Sequence, residues 1–417
     1  MNLADMLGYA DIAQLTRIAA AYGCDCNGHS KHELIQSILT AAGRKELVDA
    51  QIDAMPIEDL RFLNSLLFDA REAFSLEELL ARVRLSRFDR TDSVEAKAAE
   101  PKQAAAAKAG RSPAQGKPKR GKEGAKGAKD AKKETAQAAS PEAGLRETIA
   151  RFKQSGWLFN GYSGTNRYLF HVPNDLKERF REALGRRFEE RLRYGEEPAA
   201  YRDEQTLMAE DALLLLGHID KHDIPLTADG AMYKRNATQL LELLSVREEL
   251  PPKGPWRFGY GRRFKDFPDR LALLYDYCHY RRWISEADMR LTLTASGKEK
   301  LEGRIRDEPE ELYRFWLRLY KGAVPNILSL VNWIDRLAAR WVSADSLQAV
   351  LLPYVRPFYY DDAASVLNKR VLGMMVHLGL LRLGRDDALG VVYKMTNAGR
   401  AAVKGNRIDD REGITLH

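Results

Sequence analysis

The chain has 417 residues, of which 45% are hydrophobic; this length provides for about three domains with buried cores. No apolar run approaches the roughly 20 residues that a membrane span needs, and the N-terminus MNLADMLGYAD lacks the basic start of a signal peptide. Three cysteines provide no disulfide framework. Composition therefore predicts a cytoplasmic protein, nucleoid-associated if the source is bacterial.

Residues 1–49 are predicted to form a small helical unit. In its first helix Ile12, Leu15 and Ala19 share one face, and Ser30 with Glu33 forms a capping box at the start of the second helix. The stretch LTRIAAAYGCDCNGHSKHELIQSIL resembles SAP-like and Rho-N-like modules, which share a helix, a glycine in the loop and the pattern Ser-Lys-x-Glu-Leu-Ile. The resemblance implies that this unit contacts nucleic acid.

Cys24, Cys26, His29 and His32 are four nitrogen or sulfur ligands within nine residues, a set that could surround Zn²⁺. Their spacing is tighter than that of the usual zinc finger, and His32 lies inside the capping box. We therefore expect no metal and no cofactor. Cys24 is predicted to be a small core residue, and the two histidines are predicted to be solvated.

A winged helix-turn-helix interrupted by an insertion is predicted for residues 50–85 and 145–195. Helices at about 57–69 and 75–83 precede the gap. After it come a helix with Leu145, Ile149 and Phe152 inward and two strands, 157–159 and 168–170, around a polar turn. The alternative assigns residues 50–85 to a separate N-terminal domain.

The insertion, residues 86–144, is predicted to be a disordered linker because it is rich in Ala, Lys, Gly and Pro. Within residues 97–133, ten lysines and two arginines face three acidic residues, a net charge of +9. The whole chain carries +7, so the remainder sums to −2. A polycation of this kind binds phosphate backbones without reading sequence. The alternative is a solubilising spacer.

A second winged helix is predicted for residues 200–305. Its third helix buries one stripe of side chains, and Trp283 with Ile284 opens the β-hairpin. The opposite face suits a protein partner better than DNA. The buried stripe is Leu271, Leu274, Tyr275 and Cys278, and the outward residues include Asp269, Arg270, Leu273, Tyr277 and Tyr280.

The segment DALLLLGHIDKHDIPLTADGAMYKRNATQLLELL, followed by a helix and YRRWI, resembles the N-terminal accessory region of bacterial XPB-type helicases and related motor-less proteins. The turn at 226–230 and the basic pair Lys234-Arg235 carry the likeness. The resemblance implies a DNA-associated protein rich in winged helices. The ATPase motor of that family is absent from this sequence, so no helicase activity is expected.

The loop PPKGPWRFGYGRRFKDF alternates basic and aromatic residues, a pattern typical of single-strand binding. The alternative is that Trp256 and Phe264 pack against the middle module. The basic residues are Lys253, Arg257, Arg262, Arg263 and Lys265, and the aromatic ones are Trp256, Phe258, Tyr260 and Phe264.

A third winged helix is predicted for residues 306–417. Its third helix buries Leu367, Val371, Met374, Met375 and Leu378, and two strands, 381–383 and 391–395, flank a polar turn. The ending YKMTNAGRAAV repeats LTLTASGKEKL from the middle module, so that Thr396 and Gly399 correspond to Thr294 and Gly297. Thr396 is predicted to cap the short helix that begins at Ala398. Matched endings behind matched helices indicate tandem modules.

On this last helix Lys369 and Gly373 are predicted to point outward, with Asn368 and Arg370 at the flanks. These residues are candidates for major-groove contact, and Arg382 and Arg385 in the hairpin are candidates for backbone contact. The alternative is a solvated helix face.

No motif for catalysis was found: the sequence lacks a phosphate-binding loop, a His-Glu-x-x-His zinc motif and a nucleophile elbow. We therefore predict a mostly α fold with short β-wings and a protein that is not an enzyme. Its expected partner is nucleic acid, with DNA favoured, either duplex or single-stranded. The alternative is a protein-interaction scaffold or regulatory subunit that contacts a partner through the middle module.

Overall fold

The computed structural model describes residues 1–25, 30–89, 141–162, 164, 166–252, 259–304, 307, 309–405 and 414. Within these ranges most residues lie in helices, and the strands form three small antiparallel sheets. The expectation of a mostly α fold with short strands is confirmed.

The N-terminal unit consists of four helices. Asp11 caps the second helix by accepting a hydrogen bond from the Gln14 N–H at 2.7 Å, and Ser30 caps the third. Leu15 and Ala19 are buried as predicted, but Ile12 is exposed because it stands at the very start of its helix. The helices are α1 Leu3–Tyr9, α2 Ile12–Ala21, α3 Lys31–Gly43 and α4 Lys45–Asp53.

The next unit joins residues on both sides of the predicted linker, but residues 141–144 of the predicted 86–144 range are the start of a helix, so that boundary of the linker is wrong. β3 pairs with both β1 and β2, with Phe74 opposite Phe170, and α6 packs against α7. The rings of Phe62 and Phe152 meet edge to face at 4.8 Å, so the two flanks share one core. The elements are α5 Ile57–Leu67, β1 Ala73–Phe74, α6 Leu76–Ser86, α7 Pro141–Gln154, β2 Phe159–Asn160 and β3 Phe170–His171.

The same order of helix, strand, two helices and two strands then recurs. In this second repeat the strand order is β5-β7-β6, with the first strand again beside the last. A connecting helix and strand, α8 Asn174–Glu189 and β4 Tyr201–Arg202, lead into it. Its elements are α9 Leu207–Lys221, β5 Ile224–Pro225, α10 Lys234–Leu243, α11 Asp269–Tyr280, β6 Ile284–Ala287 and β7 Arg290–Leu293.

The third repeat follows α12 Ala295–Gly303 and α13 Pro309–Tyr320. Its strand order is β8-β10-β9, and β4 extends the sheet beyond β9. Its third helix, α16, is continuous from Ala363–Ser365 through a π-helical section, Val366–Gly373, to Met374–His377. The other elements are α14 Ile327–Leu337, β8 Val342–Ser343, α15 Ala344–Leu351, β9 Leu381–Asp386, β10 Gly390–Met395 and α17 Asn397–Gly405.

The Thr-x-x-Gly pair that the sequence repeats has the same role both times. The Thr396 hydroxyl accepts from the Gly399 N–H at 2.8 Å and donates to the Gly379 carbonyl at 2.8 Å. Thr294 likewise accepts from the Gly297 N–H at 3.0 Å. A Cβ on Gly399 would lie 2.5 Å from the Leu380 carbonyl oxygen, so only glycine lets the last helix approach this closely. The predicted cap by Thr396 is confirmed.

We expect Gly399→Ala to lower the free energy of unfolding by about 1–3 kcal/mol, because the added methyl meets a backbone carbonyl that cannot yield cheaply. Urea unfolding followed by circular dichroism measures the change. Gly405→Ala is the matched control, since nothing lies within 4 Å of its added Cβ. Equal stability of the Gly399→Ala variant and the wild type would contradict the close approach.

The third repeat packs against the first. The Trp333 indole N–H donates to the Asn64 side-chain oxygen at 2.6 Å, which joins α14 to α5 of the first repeat. The rings of Phe68 and Phe188 meet Trp333 edge to face at 5.2 and 5.0 Å. The first and third repeats are therefore held together by a buried aromatic cluster.

Candidate nucleic-acid interface

The third helix of the third repeat, α16, is covered by the rest of the chain. Arg370 is only 3% exposed. Its guanidinium lies 2.5 Å from the Asp269 carboxylate of α11 and 2.8 Å from that of Asp361, and it stacks over the Phe264 and Tyr260 rings. The prediction that Arg370 flanks a DNA-contacting face is therefore wrong, because its charge is neutralised inside the protein.

The neighbours of Arg370 leave little open surface. Asn368 is half-buried, and Gly373, predicted to point outward, is half-buried as well. Lys369 is exposed as predicted. In the hairpin, Arg382 binds the Asp203 carboxylate at 2.7 Å, whereas Arg385 is exposed. Lys369 and Arg385 stay available to a ligand, but Lys369 is the only exposed residue of α16.

The third helix of the second repeat, α11, is also enclosed. Arg270 is fully buried and binds Asp211 at 2.6 Å and Glu204 at 3.3 Å. Leu273 is buried, and the Tyr277 ring packs against Phe315 of α13 at 5.3 Å. The predicted outward face for a protein partner is wrong for these residues, because the chain covers that face itself.

The basic-aromatic loop divides into two parts. Lys253, Trp256, Arg257 and Phe258 lie outside the described residues. Arg262 and Arg263 bind the Glu286 carboxylate at 2.8 and 2.5 Å, and Arg263 is buried. Tyr260 and Phe264 are core residues, and Lys265 alone of the described basic residues in this loop is exposed without an ion pair. Phe264 is buried, which agrees with the alternative interpretation that it is a packing residue.

Asp276, on the buried α11, accepts a hydrogen bond from the Arg262 N–H at 2.8 Å, and its burial raises the pKa of the carboxyl to about 7. Because the carboxyl group binds its proton more tightly in the folded state, protonation stabilises the fold. This contribution to the free energy of unfolding is complete below the unfolded pKa of about 4 and is lost as pH rises through 7. The Asp276→Asn variant does not titrate. We therefore expect its free energy of unfolding, relative to that of the wild type, to rise by about 2 kcal/mol or more between pH 5 and pH 8. Urea unfolding at both pH values tests this; parallel pH profiles would contradict it.

α7, the third helix of the first repeat, differs from the other two in keeping a solvent face. Its buried stripe is narrow, and its outer side carries two basic and two acidic residues and one glutamine. Arg151 binds Asp59 at 2.5 Å, and Arg146 binds Glu142 at 2.8 Å on the surface. The exposed residues are Glu142, Ala143, Arg146, Glu147, Ala150, Arg151 and Gln154.

Several cations lie on the elements that meet the C-terminal end of α7, which are α2 of the N-terminal unit and the β2–β3 hairpin, and at the start of α3. Arg17, Lys31, Lys153 and Arg167 have no ion-pair partner among the described residues. Burial, together with repulsion from Arg17, lowers the pKa of Lys153.

Three exposed tyrosines accompany these cations: Tyr9, Tyr162 and Tyr168. The sequence prediction missed this cluster because it assembles segments more than a hundred residues apart. The available signal was the pair of tyrosines within a polar hairpin turn, where no core needs them.

A cavity of about 210 Å³ lies between the first and third repeats. Arg82 in its wall binds Asp69, and the Arg61 Nε donates to the Pro353 carbonyl at 2.6 Å. The Arg61 guanidinium also stacks over Phe88 at 3.8 Å. The Arg61–Pro353 hydrogen bond joins the first and third repeats beside the cavity.

The chain matches no protein-family model, no curated protein and no solved structure. Among the described residues, no helix is long and apolar enough to cross a membrane, and no three His, Cys, Asp or Glu side chains are grouped to hold a metal ion. Of the four candidate zinc ligands, Cys24 is half-buried against the core and His32 is exposed. Cys26 and His29 lie outside the described residues.

Proposed function

We propose that the protein binds nucleic acid, with DNA as the target, without catalysing a reaction, and that the first repeat is its docking module. The order of elements shared by the three repeats is that of a winged helix-turn-helix, whose third helix enters the groove while the hairpin contacts the backbone. One observation carries the proposal: of the three third helices, α7 keeps an exposed face, and near its end lie cations that have no ion-pair partner among the described residues.

The basic segment strengthens this choice of module. In the sequence this segment connects α6 to α7. Its net charge of +9 therefore lies shortly before the N-terminal end of the exposed helix. Binding by counterion release supplies affinity without sequence specificity, and α7 with the hairpin supplies the docking geometry. The resemblance of the N-terminal unit to SAP-like modules, and of the second repeat to the accessory region of XPB-type helicases, favours the same function.

Fluorescence anisotropy with a random blunt duplex at two salt concentrations tests the proposal. Charge reversal at Arg146 of α7 and Arg167 of the hairpin should lower affinity by about 10-fold and reduce the salt slope by about 2. Lys298→Glu is the control, because this exposed lysine, which has no ion pair with any described residue, lies on α12 and outside the first repeat.

An equal loss in the Lys298→Glu control would mean that DNA is attracted by the surface as a whole and not by the first repeat. A wild-type protein that binds neither duplex nor single-stranded DNA would refute the proposal and favour the protein-interaction scaffold.

A further inference from the structure

We propose that the first repeat and the N-terminal unit together hold unpaired bases of a nucleic acid strand. The inference rests on the proposed function and specifies the form of the nucleic acid. The site, here named the tyrosine patch, consists of three exposed rings and four cations: Tyr9, Tyr162, Tyr168, Arg17, Lys31, Lys153 and Arg167.

Tyr9 at the end of α1 stacks on Tyr162 of the hairpin, with ring centroids 4.3 Å apart and planes inclined by 9°. Each ring covers one face of the other, yet Tyr9 is 64% and Tyr162 57% exposed. The outer face of each ring is therefore open to solvent. Such flat, open faces are platforms on which nucleic acid bases stack, whatever their sequence.

A third ring lies on the same hairpin. Tyr168 is 68% exposed, and the Arg167 guanidinium lies over its ring at 4.7 Å while donating a hydrogen bond to its hydroxyl. The Asn160 side chain donates to the Arg167 carbonyl at 3.2 Å, which fixes the turn that presents both residues. Ring and guanidinium together form a second stacking surface with a positive charge.

The remaining cations lie on the same two units as the rings, the N-terminal unit and the first repeat. Lys31 donates to the carbonyl of Gly8, the residue before Tyr9, at 2.8 Å. Arg17 lies close enough to Lys153 for its charge to act on that amine. The carboxylate of Asp11 nearby is engaged in capping α2. Cations that have no carboxylate partner in the described part of the chain, on the same units as open rings, complement a strand that offers both phosphates and bases.

Unpaired bases, rather than those of a duplex, fit these rings. In a duplex the base faces are stacked on each other and only their edges reach the grooves, so a tyrosine face has nothing to cover. A strand end, a gap or a tail exposes base faces to the Tyr9–Tyr162 stack and to Tyr168. We therefore expect the protein to prefer a duplex that carries a single-stranded tail over a blunt one.

Fluorescence anisotropy compares a labelled blunt duplex with the same duplex bearing a tail of about 10 thymidines. The wild-type chain should bind the tailed probe more tightly. Tyr9→Ala with Tyr162→Ala should lower affinity for the tailed probe by about 10-fold and leave the blunt duplex unchanged. Because both rings are exposed, circular dichroism and the melting temperature should stay close to those of the wild type.

Two matched variants accompany this pair. Tyr9→Phe with Tyr162→Phe keeps the rings and should retain the preference for the tailed probe. Tyr359→Ala with Tyr360→Ala removes two exposed tyrosines of the third repeat and should also retain it.

Equal affinity of the wild type for both probes, or an equal loss on both probes in the alanine pair, overturns the tyrosine patch while leaving the proposed function standing. Failure to bind either probe overturns both.

Discussion

Deletion of residues 97–133 is expected to lower the affinity for random duplex DNA by at least about 100-fold in low salt and to reduce the slope of log affinity against log salt by up to about 8. The reason is that the segment carries +9 while the remainder of the chain sums to −2, so most of the counterion release comes from this segment. Anisotropy titrations at several salt concentrations measure both quantities.

A variant of equal length is the control for this deletion. Replacing the ten lysines, the two arginines and the three acidic residues of the segment by glutamine keeps the spacing and removes the charge. We expect this variant to bind as weakly as the deletion. If both bind as the wild type does, the segment is a spacer.

Arg370→Ala is expected to lower the free energy of unfolding by about 3–5 kcal/mol, because it removes the buried positive charge that pairs with the carboxylates of Asp269 and Asp361. The change also removes the cation that stacks over Tyr260 and Phe264. Urea unfolding at pH 7 provides the measurement.

Lys369→Ala is the adjacent control, since Lys369 is exposed and its loss should change stability by no more than about 0.5 kcal/mol. A similarly small effect of Arg370→Ala would mean that the buried ion pairs contribute nothing. A test of DNA binding on α16 has to change Lys369 alone. A change at Arg370 is expected to destabilise the packing of the helix and would confuse the result.

Local patterns in the sequence predicted the features that depend on neighbouring residues. The cap by Thr396 was predicted because a helix cap is set within a few positions of the chain. The hairpin that β9 and β10 form was predicted from alternating residues around a polar turn. The spacing of apolar residues on α11 and α16 likewise predicted a buried side for each helix.

The opposite sides of those helices could not be assigned in the same way. Arg370 looks like a surface residue until Asp269, from a distant helix, is placed beside it. For α11 a signal did exist: Leu273 and Tyr277 make the helix apolar nearly all round, and such a helix is normally enclosed. The stack of Tyr9 on Tyr162 left no local pattern, because it depends on how two separate units pack.

The packing of α6 against α7 also fixes how the chain between them affects folding. Both ends of that segment are anchored in one core. The composition of the segment predicts no fixed structure, and closing a flexible loop costs conformational entropy. That cost grows only with the logarithm of loop length. Shortening the loop from about 54 to about 17 residues should therefore stabilise the first repeat by about 1 kcal/mol. The loop can change greatly in length while the core that closes it keeps nearly the same stability.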